Sequence, residues 1–412
     1  MSKTVVVVGG GVIGMAIAYY AQQKGHRVTV LERGAPDHDC CSRNNAGMIV
    51  PSHFIPLAAP GAVALGLKWM WNPESPFYIR PRLDAELLSW GWKFWRAATA
   101  EHVARSAPLI RDLSLASRQL FEELAAVPGN DFGLVKRGLL MLCRTEHGLA
   151  EEARTGAAAR QLGMPAEVLT PEATAKLEPG IRMEIAGAVY YPLDCHLTPH
   201  RFLDALARGQ DVSWNTEVTG WRVESGRIAG VRTSRGEVTG DEYVIAGGSW
   251  STQLARSLGV RLPMQAGKGY SVTVPRAKRL PAICSILTEA RIAVTPMGDA
   301  LRLGGTMEIG GLDERINPSR VSGILKAIPH YFPEYTTDEL RGLPVWHGFR
   351  PFAPDGMPYM GRVSRYANLC VATGHSMMGL SLGPITGKLM AQVLSDEKPA
   401  IDLTLLSPNR YQ

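Results

Sequence analysis

The hydrophobic pattern at the N-terminus changes period twice within about thirty residues, and each change marks an element. Thr4–Val8 is an unbroken run of β-favouring residues, the composition of a strand buried on both faces of a parallel sheet. Gly9-Gly10-Gly11-Val12-Ile13-Gly14 follows at once. An apolar helix then runs to Gln22, Gln23, Lys24 and Gly25, and Arg27–Leu31 reads as a second strand with Glu32 at its end. The glycines have separate jobs: Gly9 allows the tight turn, Gly11 lets a pyrophosphate reach the backbone, and Gly14 lets helix and strand pack closely. Glu32, 18 residues after Gly14, stands at about the spacing where a carboxylate meets ribose hydroxyls. The unit predicts an adenine-dinucleotide site with its phosphates at a helix N-terminus. Val5–Ala21 carries no charge and is nearly long enough to cross a membrane. Glycines at the fingerprint spacing, and no small-residue cleavage pattern, argue against an anchor or a signal segment.

Helical spacing recurs over Val103–Val127, as one helix or two, over Glu146–Leu162, and briefly over Pro171–Leu177. Strands are expected at Gly138–Leu142, Ala188–Tyr191, Thr216–Val223, Arg227–Thr233, around Glu237 and at Tyr243–Ala246, the last four spaced as a meander. Gly247 and Gly248 end the last of these before a helix, which suggests a return to the first sheet. Strands resume at Gly269–Val274 and Arg291–Gly305, and a helix covers Val321–Ile328. The chain closes with a strand at Asn368–Ala372, the turn Thr373–Gly379 and a helix from about Leu380 to Leu394. No repeat or linker is visible, so strands returning between helices predict two interleaved domains. Residues 1–50, 180–260 and 340–412 are assigned to the dinucleotide-binding domain, and 51–179 and 261–339 to the second.

Composition changes this picture little. The 412 residues, 45% hydrophobic and 20% charged, suit a globular chain of two lobes. A formal charge of +6 raises the question of nucleic acid, but no run of like charges supports such a partner. Six cysteines without zinc or CxxC spacing point to free thiols in a reducing, cytoplasmic setting, and no metal site is expected. Two segments do add chemistry. Asp39–Gly47 is a polar loop of small residues just after the ribose acid, suited to close backbone contact with a ligand. Pro51–Arg96 holds five of the nine tryptophans, Trp69, Trp71, Trp90, Trp92 and Trp95, and reads as core, a lid, a partner surface or an interfacial membrane patch.

Several motifs in order give a resemblance to a known family. They are Ser42–Gly47, similar to an S-x-x-N-A-G loop; Ile55–Gly61 followed by Leu67–Met70; Asp194–Leu197; Gly267–Ser271; Gly304–Glu308; Gly348–Pro351; Pro354–Pro358; and Gly374-His375. In these the chain resembles the D-amino-acid oxidase superfamily of flavoenzymes, and within it the bacterial D-amino-acid dehydrogenases, including the D-proline and D-hydroxyproline branch. The resemblance implies a mixed α/β fold, a Rossmann-like FAD-binding domain interleaved with a β-sheet substrate-binding domain. It implies FAD, bound without a covalent link. The cofactor set expected is Gly9, Gly11, Gly14, Glu32, Arg33, Ser42, Asn45, Ala46, Gly47, Val218, whose backbone would hold the adenine, Gly247, Gly374, His375, Met378, Gly379 and Leu380.

The reaction implied is oxidation of a D-amino acid to the imino acid, with the Cα–H aimed at the flavin and electrons passed to a quinone or carrier. A glycine or sarcosine oxidase, or a non-catalytic FAD subunit of a larger assembly, stands as the alternative. Such chemistry needs orientation above all. A carboxylate is best held by a guanidinium, and Arg350 matches the family's substrate-gripping arginine of G-x-R-P. Tyr270 is a second candidate for the carboxylate, and His53, where many of the dehydrogenases have tyrosine, a candidate pocket residue. Backbone N–H groups of Gly374–Gly379, with the helix dipole behind them, would stabilise the anionic reduced flavin. The resemblance, together with the aromatic-rich segments near Phe349 and Phe352, implies a cyclic substrate such as D-proline or cis-4-hydroxy-D-proline. Beyond the substrate and the electron acceptor, a peripheral contact with the inner face of a membrane or a partner subunit is left open.

Overall fold

The structure, a computed structural model, describes residues 1–412. Its first sheet has six strands in the order 359–362, 369–373, 242–245, 4–8, 27–31, 211–213. Five are parallel, and only Tyr359–Arg362 runs against its neighbour. Thr4–Val8 sits inside it, with Val8 opposite both Leu31 and Ile245. As an inner strand of a covered parallel sheet it is apolar after Thr4, with Val5–Val8 buried on both faces.

Helix Val12–Gln23 covers one face and packs on the final helix, Gly383–Leu394. The two helices approach so closely that a Cβ on Gly387 would lie 2.5 Å from the Ala16 carbonyl oxygen. Gly14 does the same for helix and strand, since a Cβ there would lie 1.9 Å from the Gly9 oxygen. The final helix begins three residues later than expected. Gly374–Gly379 leads into a short 3-10 turn, Ser376–Met378, before it.

The second sheet has nine strands, antiparallel for the most part, and wraps from Val345–Phe352 through Gln265–Val274 and Ala300–Ile309 to Leu139–Cys143 and Gly187–Tyr191. The expected strand 291–305 is a hairpin of two, Ile292–Met297 and Ala300–Ile309. Gly187–Tyr191 and Val345–Phe352, which the sequence boundaries put with the dinucleotide-binding segments, pair into this second sheet. Of the expected meander, Val218–Glu224, Arg227–Thr233 and Gly236–Val238 form a separate three-stranded sheet. The fourth strand, Glu242–Ile245, leaves them for the parallel sheet. Ala100–Ala125 is one helix that continues through Pro108. One buried cluster of 50 residues runs from Val5 and Val7 through this helix to Leu139 and Met141, so the two sheets share a core.

Candidate functional site

A cavity of about 1310 Å³ runs from the glycine turn of the first sheet to the open face of the second. This exceeds the roughly 300–1,000 Å³ of a pocket for one small ligand. It has room for an extended dinucleotide and a second molecule.

The first end is built from backbone. Gly9 has φ +116°, and a Cβ on it would lie 2.6 Å from the Ala246 oxygen, so only glycine turns the chain here. Helix Val12–Gln23 starts at Gly11 with no side-chain cap on that residue and no acid in its first turn. Its positive end is left for an anion. Ser42 Oγ accepts the Val12 N–H at 2.9 Å, tying the Asp39–Gly47 loop to the helix start. Asn45 shapes that loop: its Oδ1 accepts the Gly47 N–H at 2.7 Å and its Nδ2 donates to the Ser42 carbonyl at 3.1 Å. Gly47 adopts φ +71° against the Leu197 carbonyl, and Ala46 lines the cavity beside it.

Glu32 is buried at the strand end, where its carboxylate accepts the Gly10 N–H at 2.6 Å and the Gly34 N–H at 2.8 Å. Arg33 stacks on Trp250 at 4.0 Å, and Val218, Ala246 and Gly247 close the same end of the cavity.

At the far end the walls are side chains. Val345–Phe352 pairs with Gln265–Val274 so that Arg350 faces Gly267 and Gly348 faces Gly269. Residues two apart share a strand face, and this face is kept clear by glycine. A Cβ on Gly269 would lie 2.1 Å from Arg350 Nη1. Arg350 is enclosed by protein yet opens on the cavity, and burial lowers its pKa from the ordinary value. Its one hydrogen bond is Nη1 to the Thr306 carbonyl at 2.9 Å, and no carboxylate pairs with it. The neighbouring Cys41 thiol is pushed up to about 12 by burial, so it supplies no counter-charge at neutral pH.

Thr306 owes its position to an irregularity in the sheet. Pairing jumps from Lys268–Glu308 to Tyr270–Gly305, a bulge of the kind found beside active sites. Thr306 adopts φ +64°, costly for a β-branched residue, and its buried hydroxyl has no partner. Ser376 repeats the pattern at the other wall, with φ +54° and a buried, unpartnered hydroxyl. Two strained residues with orphaned hydroxyls on one cavity fit a bound polar group.

The structure shows what holds three residues that the sequence singles out. Tyr270 donates its hydroxyl to Glu308 Oε2 at 3.0 Å and accepts the Asn317 N–H at 3.1 Å, which commits it to the sheet and not to a substrate carboxylate. His375 turns its ring into the core, where Nε2 meets Thr386 Oγ1 at 3.0 Å and burial lowers its pKa to about 3. Only its backbone is left for a cofactor. Phe352 packs with Trp90 and Ile309, so it is no pocket aromatic. Gly374, Met378, Gly379 and Leu380 gather where the parallel sheet meets the second one, the last three on the cavity wall.

His53 lines the cavity beside Arg291. Sequence reasoning missed what stands behind it, Ser52 and the buried Asp194, along with Arg291, Thr306 and Ser376. The motif Asp194–Leu197 was a signal, but its partner lies 142 residues away.

The tryptophans divide by role. Trp90 is buried and donates its indole N–H to the Phe352 carbonyl at 2.9 Å. Trp69 lines the cavity. Trp71 and Trp92 stand outside, and Trp95, also exposed, reaches the cavity rim, on or beside helices Ala62–Trp69 and Ala85–Ala97. No helix is long and apolar enough to cross a membrane.

A parallel sheet whose glycine turn opens on a cavity shared with an antiparallel sheet defines a dinucleotide-dependent oxidoreductase with a separate substrate wall. Comparison with known proteins makes this specific. The DAO family, FAD dependent oxidoreductase, matches residues 4–393, and the chain belongs to it. It is therefore an enzyme whose cofactor is FAD. Two D-amino acid dehydrogenases, from Granulibacter bethesdensis and Bradyrhizobium diazoefficiens, are each 33% identical over 417 aligned residues. Each alignment covers 99% of this chain, and 99% and 98% of the respective relative. The crystal structure of glycine oxidase from Geobacillus kaustophilus superposes with a TM-score of 0.79 at 27% identity, over 100% of this chain and 99% of the other.

Proposed function

We propose that the enzyme dehydrogenates D-amino acids to imino acids and passes the electrons to a membrane quinone. The carrying observation is Arg350: a cation without a carboxylate partner, on a cavity wall cleared for it by Gly269. Burying an unpaired guanidinium is costly, and a substrate carboxylate removes that cost. Gly9, Gly11 and the start of the first helix would take the pyrophosphate, with Ser42, Asn45, Ala46 and Gly47 beside it. Glu32, Arg33, Val218 and Gly247 would hold the adenosine end, and Gly379 with its neighbours the ring end. When bound, the flavin supplies a two-electron acceptor for the substrate Cα–H. The protein orients the amino acid by its carboxylate and screens it from water with Trp69 and the helices that border the cavity.

Names of the relatives support the D-amino acid class. Within it the reading is a cyclic substrate, D-proline or cis-4-hydroxy-D-proline, favoured by the apolar wall of Met141, Ile286 and Ala293 near Arg291. The quinone reading rests on the exposed apolar side chains of the two bordering helices, discussed below. Anaerobic flavin bleaching against D- and L-amino acids, cyclic ones included, tests the function. Bleaching by D-amino acids and its loss by about 10²-fold or more in Arg350→Ala, with FAD retained, is expected. Bleaching unaffected by Arg350→Ala sinks the anchor, and rapid peroxide release in air without reduction of a quinone analogue makes the enzyme an oxidase.

A further inference from the structure

Behind His53 lies a chain of hydrogen bonds that leads from the cavity to a fully buried acid. His53 Nδ1 stands 3.0 Å from Ser52 Oγ. Ser52 Oγ is 2.5 Å from Asp194 Oδ2, and the Ser52 N–H donates to Asp194 Oδ1 at 3.1 Å. Asp194 is 0% exposed. With the hydroxyl proton given to the carboxylate, Ser52 Oγ accepts from His53 Nδ1–H, which leaves His53 Nε2 as a bare acceptor.

Resting on the reading that the substrate is an amino acid, we propose that His53, Ser52 and Asp194 form a proton relay that deprotonates the substrate ammonium. His53 is the catalytic residue that touches the substrate, and Ser52 and Asp194 are positioning residues behind it. The substrate N–H breaks as a proton bonds to His53 Nε2. The Nδ1 proton passes to Ser52 Oγ, and the hydroxyl proton passes to Asp194 Oδ2. Ammonium and carboxylate become neutral amine and carboxylic acid, no electrons change hands, and His53 ends neutral in its other tautomer. The nitrogen lone pair so freed stabilises the carbon as its hydride is removed. Asp194 later returns the proton along the same path to water in the cavity.

The surroundings favour Asp194 over His53 as the resting place of the proton. Burial and the adjacent Arg291 lower the His53 pKa to about 4, so an imidazolium is not retained there. Burial raises Asp194 to about 7, against the hydrogen bonds from Ser52 and the charge of Arg118, which favour the anion. The other titratable groups facing Asp194 are Tyr191, Cys195 and Cys284, all held neutral by burial. Placing the proton on Asp194 annihilates two charges in a poorly solvated site.

The test uses holoenzyme and anaerobic flavin reduction by a D-amino acid that reduces the wild type, from about pH 6 to pH 10. Ser52→Ala and Asp194→Asn are expected to slow reduction about 10²-fold near pH 7 and to recover to within a few fold of wild type near pH 10, where the amine arrives neutral. An equal loss at every pH, or an unchanged profile in both variants, overturns the relay. Should Asp194→Asn not fold, Ser52→Ala decides, because it keeps the acid and cuts the path. Failure of every D-amino acid to reduce the wild type would instead sink the proposed function. The relay is then judged in substrate-free holoenzyme by infrared spectroscopy. A buried carboxylic acid band that vanishes as pH rises through about 7 and shifts in Ser52→Ala supports it; no such band, or one indifferent to Ser52→Ala, overturns it.

Discussion

The two ends of the cavity recognise their occupants by different means. At the glycine turn the binding groups are main-chain N–H groups and a helix end, fixed by a parallel sheet with apolar strands on both faces. At the far end they are side chains: Arg350 without a carboxylate and Thr306 with an unpartnered hydroxyl on the second sheet, Ser376 on the opposite wall, and His53, backed by Ser52 and Asp194, in the turn after Met48–Ile49. A resident cofactor is suited by the first kind of site, since backbone geometry needs no rearrangement to bind. A substrate that comes and goes is suited by the second, where the backbone strain at Thr306 and the desolvation of Arg350 are offset by the groups that bind there.

The comparison breaks most severely at Gly14. Gly14→Ala places a Cβ where only the Gly9 carbonyl fits, and main chain cannot turn aside as a side chain can. The expected result is loss of bound FAD together with about 3 kcal/mol of stability. Flavin absorbance of the purified protein and thermal unfolding check both. Gly269→Ala makes the matching cut at the substrate end. Its Cβ displaces the Arg350 guanidinium while the dinucleotide end is untouched. FAD should remain bound and kcat/KM should fall about 10²-fold, the scale of misplacing an orienting group by roughly 1 Å. Loss of FAD in Gly269→Ala would show that the two ends are not separable.

Acid should act in opposite directions on two buried groups behind the cavity, His375 and Asp194. His375, with a pKa of about 3 in the folded protein, lies below the roughly 6.5 of an unfolded histidine. Its contribution is fully present above pH 6.5 and is lost as pH falls toward 3, because the unfolded chain binds the proton first. Asp194, at about 7, lies above the roughly 3.9 of an unfolded aspartate. Its contribution is present below 3.9 and is lost as pH rises through 7. Each window corresponds to about 4 to 5 kcal/mol at most. Asp194→Asn should therefore steepen the fall in Tm between about pH 7 and pH 4, and His375→Gln should flatten it. Parallel Tm profiles for both variants and the wild type would mean that neither group titrates as its burial requires.

The contrast also explains how much was legible in the sequence. The βαβ unit is written over residues 4–32, each element next to the one it packs on, and its glycines have steric roles visible in their spacing. Arg350 was accessible through its motif, but Gly269, which makes room for it, acts across a strand pairing that periodicity does not reveal. Tyr270 and Phe352 read as pocket residues because the face of a strand is set by its partner; in the fold the first bonds Glu308 and the second packs on Trp90. Short strands such as Asp211–Ser213 and Glu167–Leu169 exist only by pairing to a longer neighbour, so no local pattern marks them. Of the proposed relay, the motif Asp194–Leu197 marked one member, but nothing local marked its partner Ser52, 142 positions away.

The smallest effect on stability should come from the outer tryptophans, and it bears on where electrons leave. Helix Ala85–Ala97 buries only Trp90, and helix Ala62–Trp69 only Gly66. Leu67, Trp71, Leu88, Trp92 and Trp95 are each more than half exposed, Trp92 and Trp95 stack at 5.0 Å, and Lys68 and Arg96 stand among them. Tryptophan and leucine with interspersed cations are the composition of an interfacial membrane surface. Both helices also border the cavity, through Leu65, Gly66, Trp90 and Trp95. A bilayer docked here would bring a quinone to the mouth of the site. Trp71→Ser with Trp92→Ser, neither of which lines the cavity, should change stability by no more than about 0.5 kcal/mol, leave bleaching by amino acid intact, and abolish sedimentation with anionic vesicles and turnover with a vesicle-bound quinone. Full turnover with vesicle quinone in the double variant would place electron exit elsewhere, and would leave the cavity mouth with a covering role alone.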